Sequence, residues 1–257
     1  MKVINKQILI QVSVWAATVA ILLYVFRIPD QTIDAIELQL LLLLENLAFA
    51  EIKYLIPVFI HAIPFFIFIM LTGTFVREEI LNKGVFIFTR VQNRSRWTFS
   101  ILMQLLVFTI CYVSVLFIAL ILILLVTKSS SSVQHFTSLG IIYTLYILFY
   151  FVIALFSNLL AVMLNSQLSY LITSFIYMFN IFVAGFFNQV LGDLTLLKWL
   201  PVSQGIITWH ESTYFTSVFH RYTINDFTFS ISYLYLVIII ILLFYCFLRK
   251  IDKMELY

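Results

Sequence analysis

Charge is nearly absent from this chain. Only 11% of its residues are Asp, Glu, Lys or Arg, against roughly 25% in a typical soluble domain. Hydrophobic residues make up 63%. No soluble fold hides that much apolar surface, so most of the chain is expected to be solvated by lipid. Cysteine is as scarce. The two present, Cys111 and Cys246, fall inside apolar runs, and their spacing suits neither a disulfide framework nor a metal site. Glycine is rare, with six in all, and no glycine loop of the kind that cradles phosphate occurs. A strained nucleophile elbow is missing too. The chain is therefore not expected to be an enzyme by itself. No catalytic residue, metal ligand or cofactor is assigned to it, and no nucleic-acid partner is expected.

What is present is a set of long runs free of charge. They are Ile8–Phe26, Tyr54–Val76, Trp97–Thr127, Ser129–Gly192 and Phe227–Leu248. Crossing the roughly 30 Å hydrocarbon core takes about 20 apolar residues. The fourth run is too long for one crossing. Its most polar interruption is Asn165-Ser166-Gln167, which divides it into a tight helical hairpin. The chain reads as one all-α integral membrane domain with six spans, over residues 8–26, 54–76, 97–127, 139–164, 168–187 and 229–248. The first run lacks a small-residue cleavage site at its end and reads as a retained span, not a signal peptide.

Six crossings put both termini on one side. With that side cytoplasmic, Lys2, Lys6, Arg77, Lys83, Arg90, Arg94, Arg96, Arg249, Lys250 and Lys253 lie inside. Half as many, Arg27, Lys53, Lys128, Lys198 and Arg221, lie outside, as the positive-inside rule requires. The expected location is the cell (plasma) membrane, as a multi-pass protein.

Two outer segments interrupt this pattern. The first, Arg27–Lys53, is apolar in its middle and carries Asp30, Asp34, Glu37, Glu45 and Glu51. It is expected to lie at the interface, with acids toward water and leucines toward lipid. The second, residues 188–226, holds Trp199, Pro201, Trp209, Tyr214 and Tyr222, rings that suit headgroup depth, and short interfacial or re-entrant helices are expected there. Span two contains Pro57 and Pro64, and proline tends to kink a helix.

Ionisable groups at membrane depth are costly and mark function. Here His61 is the clearest one. Asn158 and Asn180 can bond between helices, and these three are the polar residues proposed for a substrate pathway. Between spans two and three lies REEILNKGVFIFTRVQNRSR, residues 77–96, followed by Trp97. It combines an acidic pair, Glu78 and Glu79, with an apolar run, Val85 to Phe88, and the cations Arg90, Arg94 and Arg96. Val85, Phe86 and Phe88 would anchor a soluble partner, the arginines would pair with its acids or with anionic lipid, and Trp97 would mark the interface where span three begins. A purely topogenic basic loop is the simpler alternative.

Glu78-Glu79 with Lys83 is similar to the acidic signature of CAAX-protease-like membrane proteins, but Lys stands where that family has Arg. The family's later histidine elements are missing. The layout as a whole resembles the membrane subunit of an ABC-2 type exporter. The acidic pair, Gly84 and the run Thr89-Arg90-Val91-Gln92-Asn93-Arg94-Ser95-Arg96-Trp97 are similar to the cytoplasmic segment of small Gram-positive permeases. That resemblance implies a coupling segment at 77–96 on which a separate ATPase, holding ATP and Mg, docks. It implies two ATPase subunits and a second copy or sister permease, with membrane lipid around the pair. It also implies export of, or immunity to, a bacteriocin-like amphipathic peptide or a lipid-like substrate. A stand-alone membrane immunity or scaffold protein without an ATPase is the alternative.

Overall fold

In the computed structural model, residues 6–27, 33–45, 52, 54–90, 94–127, 135–187, 194–212 and 223–252 are described, residues 83–90 and 252 by backbone alone. Every regular element among them is helical. In chain order they are α1 (Lys6–Phe26), α2 (Ile36–Glu45), α3 (Leu55–Thr72), α4 (Phe75–Arg90), α5 (Arg94–Thr127), α6 (Phe136–Met163) and α7 (Ser166–Phe186). Three 3₁₀ turns follow, at Thr195–Trp199, Val202–Gly205 and Ile207–Trp209, and α8 (Phe229–Asp252) is the last described element. Six helical stretches are long and apolar enough to cross a membrane: Lys6–Phe26, Leu55–Asn82, Arg94–Thr127, Phe136–Met163, Ser166–Phe186 and Phe229–Ile251. The protein is a multi-pass membrane bundle built on these six stretches. Below, the face at which α1 begins and α8 ends is the near face, and its opposite the far face.

Helices in lipid gain little from burying apolar surface and associate through close packing and hydrogen bonds. The bundle reflects this. On α1 the buried positions Val12, Ala16, Val19, Ala20 and Leu23 recur at helical spacing, two of them alanine. They let α1 lie close along α5, whose Ile101, Leu105, Phe108, Tyr112, Leu116 and Leu120 repeat on one face. Hydroxyls tie other pairs. Ser114 meets the Tyr143 hydroxyl at 2.8 Å between α5 and α6, and Thr144 meets Tyr233 between α6 and α8. On α8, Leu234, Val237, Ile238, Ile241, Leu242 and Tyr245 are exposed, a face suited to lipid. Cys111 and Cys246 are free thiols.

The hairpin at Asn165 forms as expected. Its side-chain oxygen accepts from the Leu168 N–H at 2.8 Å and caps α7. Asparagine is favoured there because the first turn of a helix has spare donors.

One expectation fails at α2. The acids of α2 do not face water, nor do its leucines face lipid. Glu37, Gln39 and Glu45 are as buried as Leu40, Leu41 and Leu43. A helix apolar on all sides is a buried helix, and α2 is one because its acids find partners inside. Glu37 accepts from the His135 N–H at 2.8 Å. Trp209 is enclosed by protein at 1% exposure, whereas Trp199 is 60% exposed. The turns 195–209 fold back into the bundle, where Val202 to Gly205 are all buried. Irregular backbone at membrane depth is tolerated when protein surrounds it. Tyr214 and Tyr222 lie outside the described residues.

The prolines of span two also differ from expectation. Pro57 sits in the first turn of α3, where its missing N–H leaves no bond unmade. Only Pro64 is interior, and the Tyr112 hydroxyl donates to its carbonyl at 2.7 Å.

Candidate functional site

Span two is interrupted not at a proline but between Thr72 and Phe75. In an unbroken helix the Val76 N–H would bond the Thr72 carbonyl. Here the amide of Asn158, from α6, stands between them. Its Oδ1 accepts from the Val76 N–H at 2.8 Å. Its Nδ2 donates to the Thr72 carbonyl at 2.7 Å and to the Ala154 carbonyl at 2.8 Å. A side chain inserted into the backbone ladder is a recognised origin of helix kinks. Beside it the Ser157 hydroxyl reaches the Gly73 carbonyl at 3.2 Å, and the Ser169 hydroxyl from α7 donates to the Ser157 carbonyl at 2.5 Å. Gly73 is required there. A Cβ would lie 2.6 Å from the Ile69 carbonyl oxygen and 2.7 Å from the Ser157 hydroxyl.

From this splice α4 runs on as one helix to Arg90. Its first turn is fastened to the α6–α7 hairpin. The Arg77 guanidinium donates to the carbonyls of Ala161 at 2.7 Å and Leu164 at 3.0 Å, a cation at a helix C-terminus, where the macrodipole favours it. Glu78 is exposed and accepts from the Thr74 hydroxyl at 2.7 Å. Glu79 is half-buried and Arg96 exposed. Trp97, in the first turn of α5, is buried at 6% exposure. Of Val85, Phe86, Phe88 and Arg90 only the helical backbone is described, and α5 resumes at Arg94.

His61 belongs to a second polar cluster, toward the far face. Glu45, at the inner end of α2, is fully buried, and its Oε2 accepts from the Thr208 N–H at 3.0 Å. Its Oε1 has no partner at hydrogen-bond geometry, although the Tyr146 hydroxyl and the Arg27 guanidinium lie beside the carboxyl. Burial pushes the Glu45 carboxyl from its ordinary 4.5 up to about 7, against smaller opposing pulls from Tyr146, the Thr208 and Ile207 N–H groups and Arg27. Arg27 donates to the Leu43 carbonyl at 2.9 Å, closing the C-terminal end of α2. His61 is 6% exposed, and neither ring nitrogen has a partner at hydrogen-bond geometry, although the Leu44 backbone lies beside the ring. It stacks toward Tyr177 at 6.4 Å, and Tyr177 stacks on Phe65 at 3.7 Å. A void of about 10 Å³ beside His61, Tyr146 and Tyr150 has room for roughly one water.

A third group locks the 3₁₀ turns to α8. His210 is buried between Phe227 and Phe229, at 4.0 and 4.9 Å. Its Nδ1 lies 3.0 Å from the Ile206 carbonyl and its Nε2 2.6 Å from the Ser232 hydroxyl. Ser232 donates in turn to Gln204 Oε1 at 2.6 Å. Burial holds the imidazole down at about 4, against the pull of the Ile206 and Ile207 carbonyls. His210 belongs to the outer segment 188–226, where nothing local in the sequence marks it.

The three pathway candidates are thus not brought together. Asn158 splices span two, His61 stands in the far-side cluster, and Asn180 on α7 donates to the Ile176 carbonyl at 2.7 Å. No group of three or more His, Cys, Asp or Glu able to hold a metal occurs among the described residues. A separate cavity of about 230 Å³ lies at mid-bundle between α6, α7 and α8, walled by apolar side chains. Phe149 and Tyr177 are shared between this cavity and the small polar void. Gly205 allows the 3₁₀ turns to approach there, since a Cβ on it would enter the Phe149 ring.

A family model described as Protein of unknown function (DUF2705) matches residues 9–257. No curated protein and no solved structure matches the chain.

Proposed function

The chain belongs to the DUF2705 family, and we propose that this member is the membrane-spanning permease subunit of an ATP-driven exporter of ABC-2 type. In this reading both termini are cytoplasmic and the protein lies in the cell membrane. ATP and Mg are held by two separate ATPase subunits, and the permease acts beside a second copy or a sister chain. The substrate is an amphipathic peptide or a lipid-like molecule, exported or kept from harming the cell.

One observation carries the reading. The second span continues past its splice at Asn158 as α4 to Arg90, into the segment of mixed charge and apolar anchors. A soluble partner pressing on that segment would act along a rigid helix. The force would arrive where the ladder of span two is already open and where Arg77 grips the end of α6. Interruptions of this kind absorb backbone rotation at low cost. Span two and the α6–α7 hairpin would then move together.

The test is to tag the full chain in its native host, extract it gently and identify co-purifying proteins by mass spectrometry. A P-loop ATPase near one to one, lost in Arg90→Glu with Arg94→Glu while membrane insertion persists, is the expected result. An intact complex without an ATPase would overturn the proposal and favour a stand-alone immunity or scaffold protein.

A further inference from the structure

We propose that the mid-bundle cavity is a binding site for one alkyl chain of a bilayer lipid. The inference needs neither an ATPase nor the exporter reading. Its walls come from the middle of each element: Phe65 in α3, Phe149 and Phe156 in α6, Tyr177 in α7, Ile239 and Leu243 in α8. Pro201 and Val202 of the 3₁₀ turns cover one end.

Three properties select the occupant. The first is chemistry. The hydroxyl of Thr173, a polar group on the wall, is engaged with the Ser169 carbonyl at 2.8 Å. Tyr177 contributes an aromatic face that stacks on Phe65. Water needs two to four polar partners to remain in a cavity, and apolar cavities of roughly 150 Å³ stay dry and take apolar guests. At about 230 Å³ the cavity is larger than that, and left empty it forfeits contacts in proportion to its size.

The second property is depth. Residues 239–243 stand halfway along α8 and residues 149–156 near the middle of α6, so the cavity lies at the level of lipid tails, far from either headgroup layer. The third is access. Phe156, Ile176, Ile239 and Leu243 are half-buried, so the wall is continuous with the lipid-facing surfaces of α7 and α8, where Phe175, Phe179, Leu242 and Ile241 are exposed. What reaches the opening at that depth is hydrocarbon chain.

The experiment uses the full chain in nanodiscs of phosphatidylglycerol doped with a phosphatidylcholine that carries a diazirine near the end of one acyl chain. After irradiation, adducts are mapped by peptide mass spectrometry. Adducts on Phe65, Phe149 or Val202 are expected, several-fold fewer in Ile153→Trp, which fills the cavity, while labelling of the outward Leu242 and Phe179 is unchanged. A diazirine on the headgroup should leave the cavity walls unlabelled. If Ile153→Trp does not fold, Val202→Trp fills the same space from the loop side. Labelling confined to outward residues, or cavity adducts undiminished in a folded filling variant, would overturn the proposal.

Discussion

The side-chain oxygen of Asn158 lies 2.8 Å from the backbone nitrogen of Val76, and its amide nitrogen 2.7 Å from the Thr72 carbonyl. One residue of α6 thereby completes the backbone of span two. Replacing it by leucine leaves a buried donor and a buried acceptor facing hydrocarbon. At about 1–3 kcal/mol per unsatisfied group, Asn158→Leu is expected to cost about 2–6 kcal/mol and to lower the melting temperature in detergent markedly. An unchanged melting curve would mean that span two reseals its own ladder.

Gly205 and Phe149 form a second tight contact. Gly205→Ala drives a methyl group into the ring, and overpacking of this kind costs roughly 1–3 kcal/mol. Phe149→Leu in the same chain should restore most of the loss. A double-mutant cycle reads the coupling directly, and additive effects would show that the turns shift away instead.

Glu45 makes stability depend on pH in an unusual direction. Its carboxyl is raised from 4.5 to about 7 in the fold, so the folded protein holds a proton that the unfolded chain releases. That contribution is full below about 4.5 and is lost as pH rises toward about 7. One pKa unit is ~1.4 kcal/mol, and the difference is of order 3 kcal/mol. Thermal melts from pH 5 to 8 should fall more steeply in the native protein than in Glu45→Gln. His210 acts oppositely. Held near 4, it removes stability as pH falls below its ordinary 6.5, so the two slopes oppose each other across the acid range. Equal slopes in both proteins would remove Glu45 from the account.

Arg77→Met should loosen the near-face turn without disturbing insertion. Two charge-assisted bonds to Ala161 and Leu164 disappear, a loss of about 1–3 kcal/mol. Amide hydrogen exchange at Leu164–Leu168 reports it, and protection equal to the native protein's would contradict the role given to Arg77.

The spans were legible because lipid leaves so simple a mark: a run without charge, long enough to cross. The hairpin at Asn165 was legible for a similar reason, since an asparagine inside such a run has a local use as a cap. What escaped was whatever depended on a distant partner. Glu45 reads as a surface acid until Thr208 is seen to meet it. Asn158 was picked out as polar, but its task is set by a helix break at Gly73, where no proline announces it. In α2 a signal was available, since Leu40 to Leu44 leave no face for water, and a helix apolar all round is a buried one. His210 offered none, because Ser232 and Gln204 come to it only through the fold.

The burial of α2 also dictates an order of assembly. At ten residues the helix is too short to cross the bilayer, and with two acids it has no reason to remain there alone. Taking its acids out of water is costly until hydrogen-bond partners are in place. The donor for Glu37 lies 98 residues downstream and that for Glu45 163 residues downstream. Four further spans pass before α8 closes the ring around the 3₁₀ turns. Glu45 therefore gains its backbone donor only once the 3₁₀ turns exist, and the far half of the bundle cannot close around α2 before they are made.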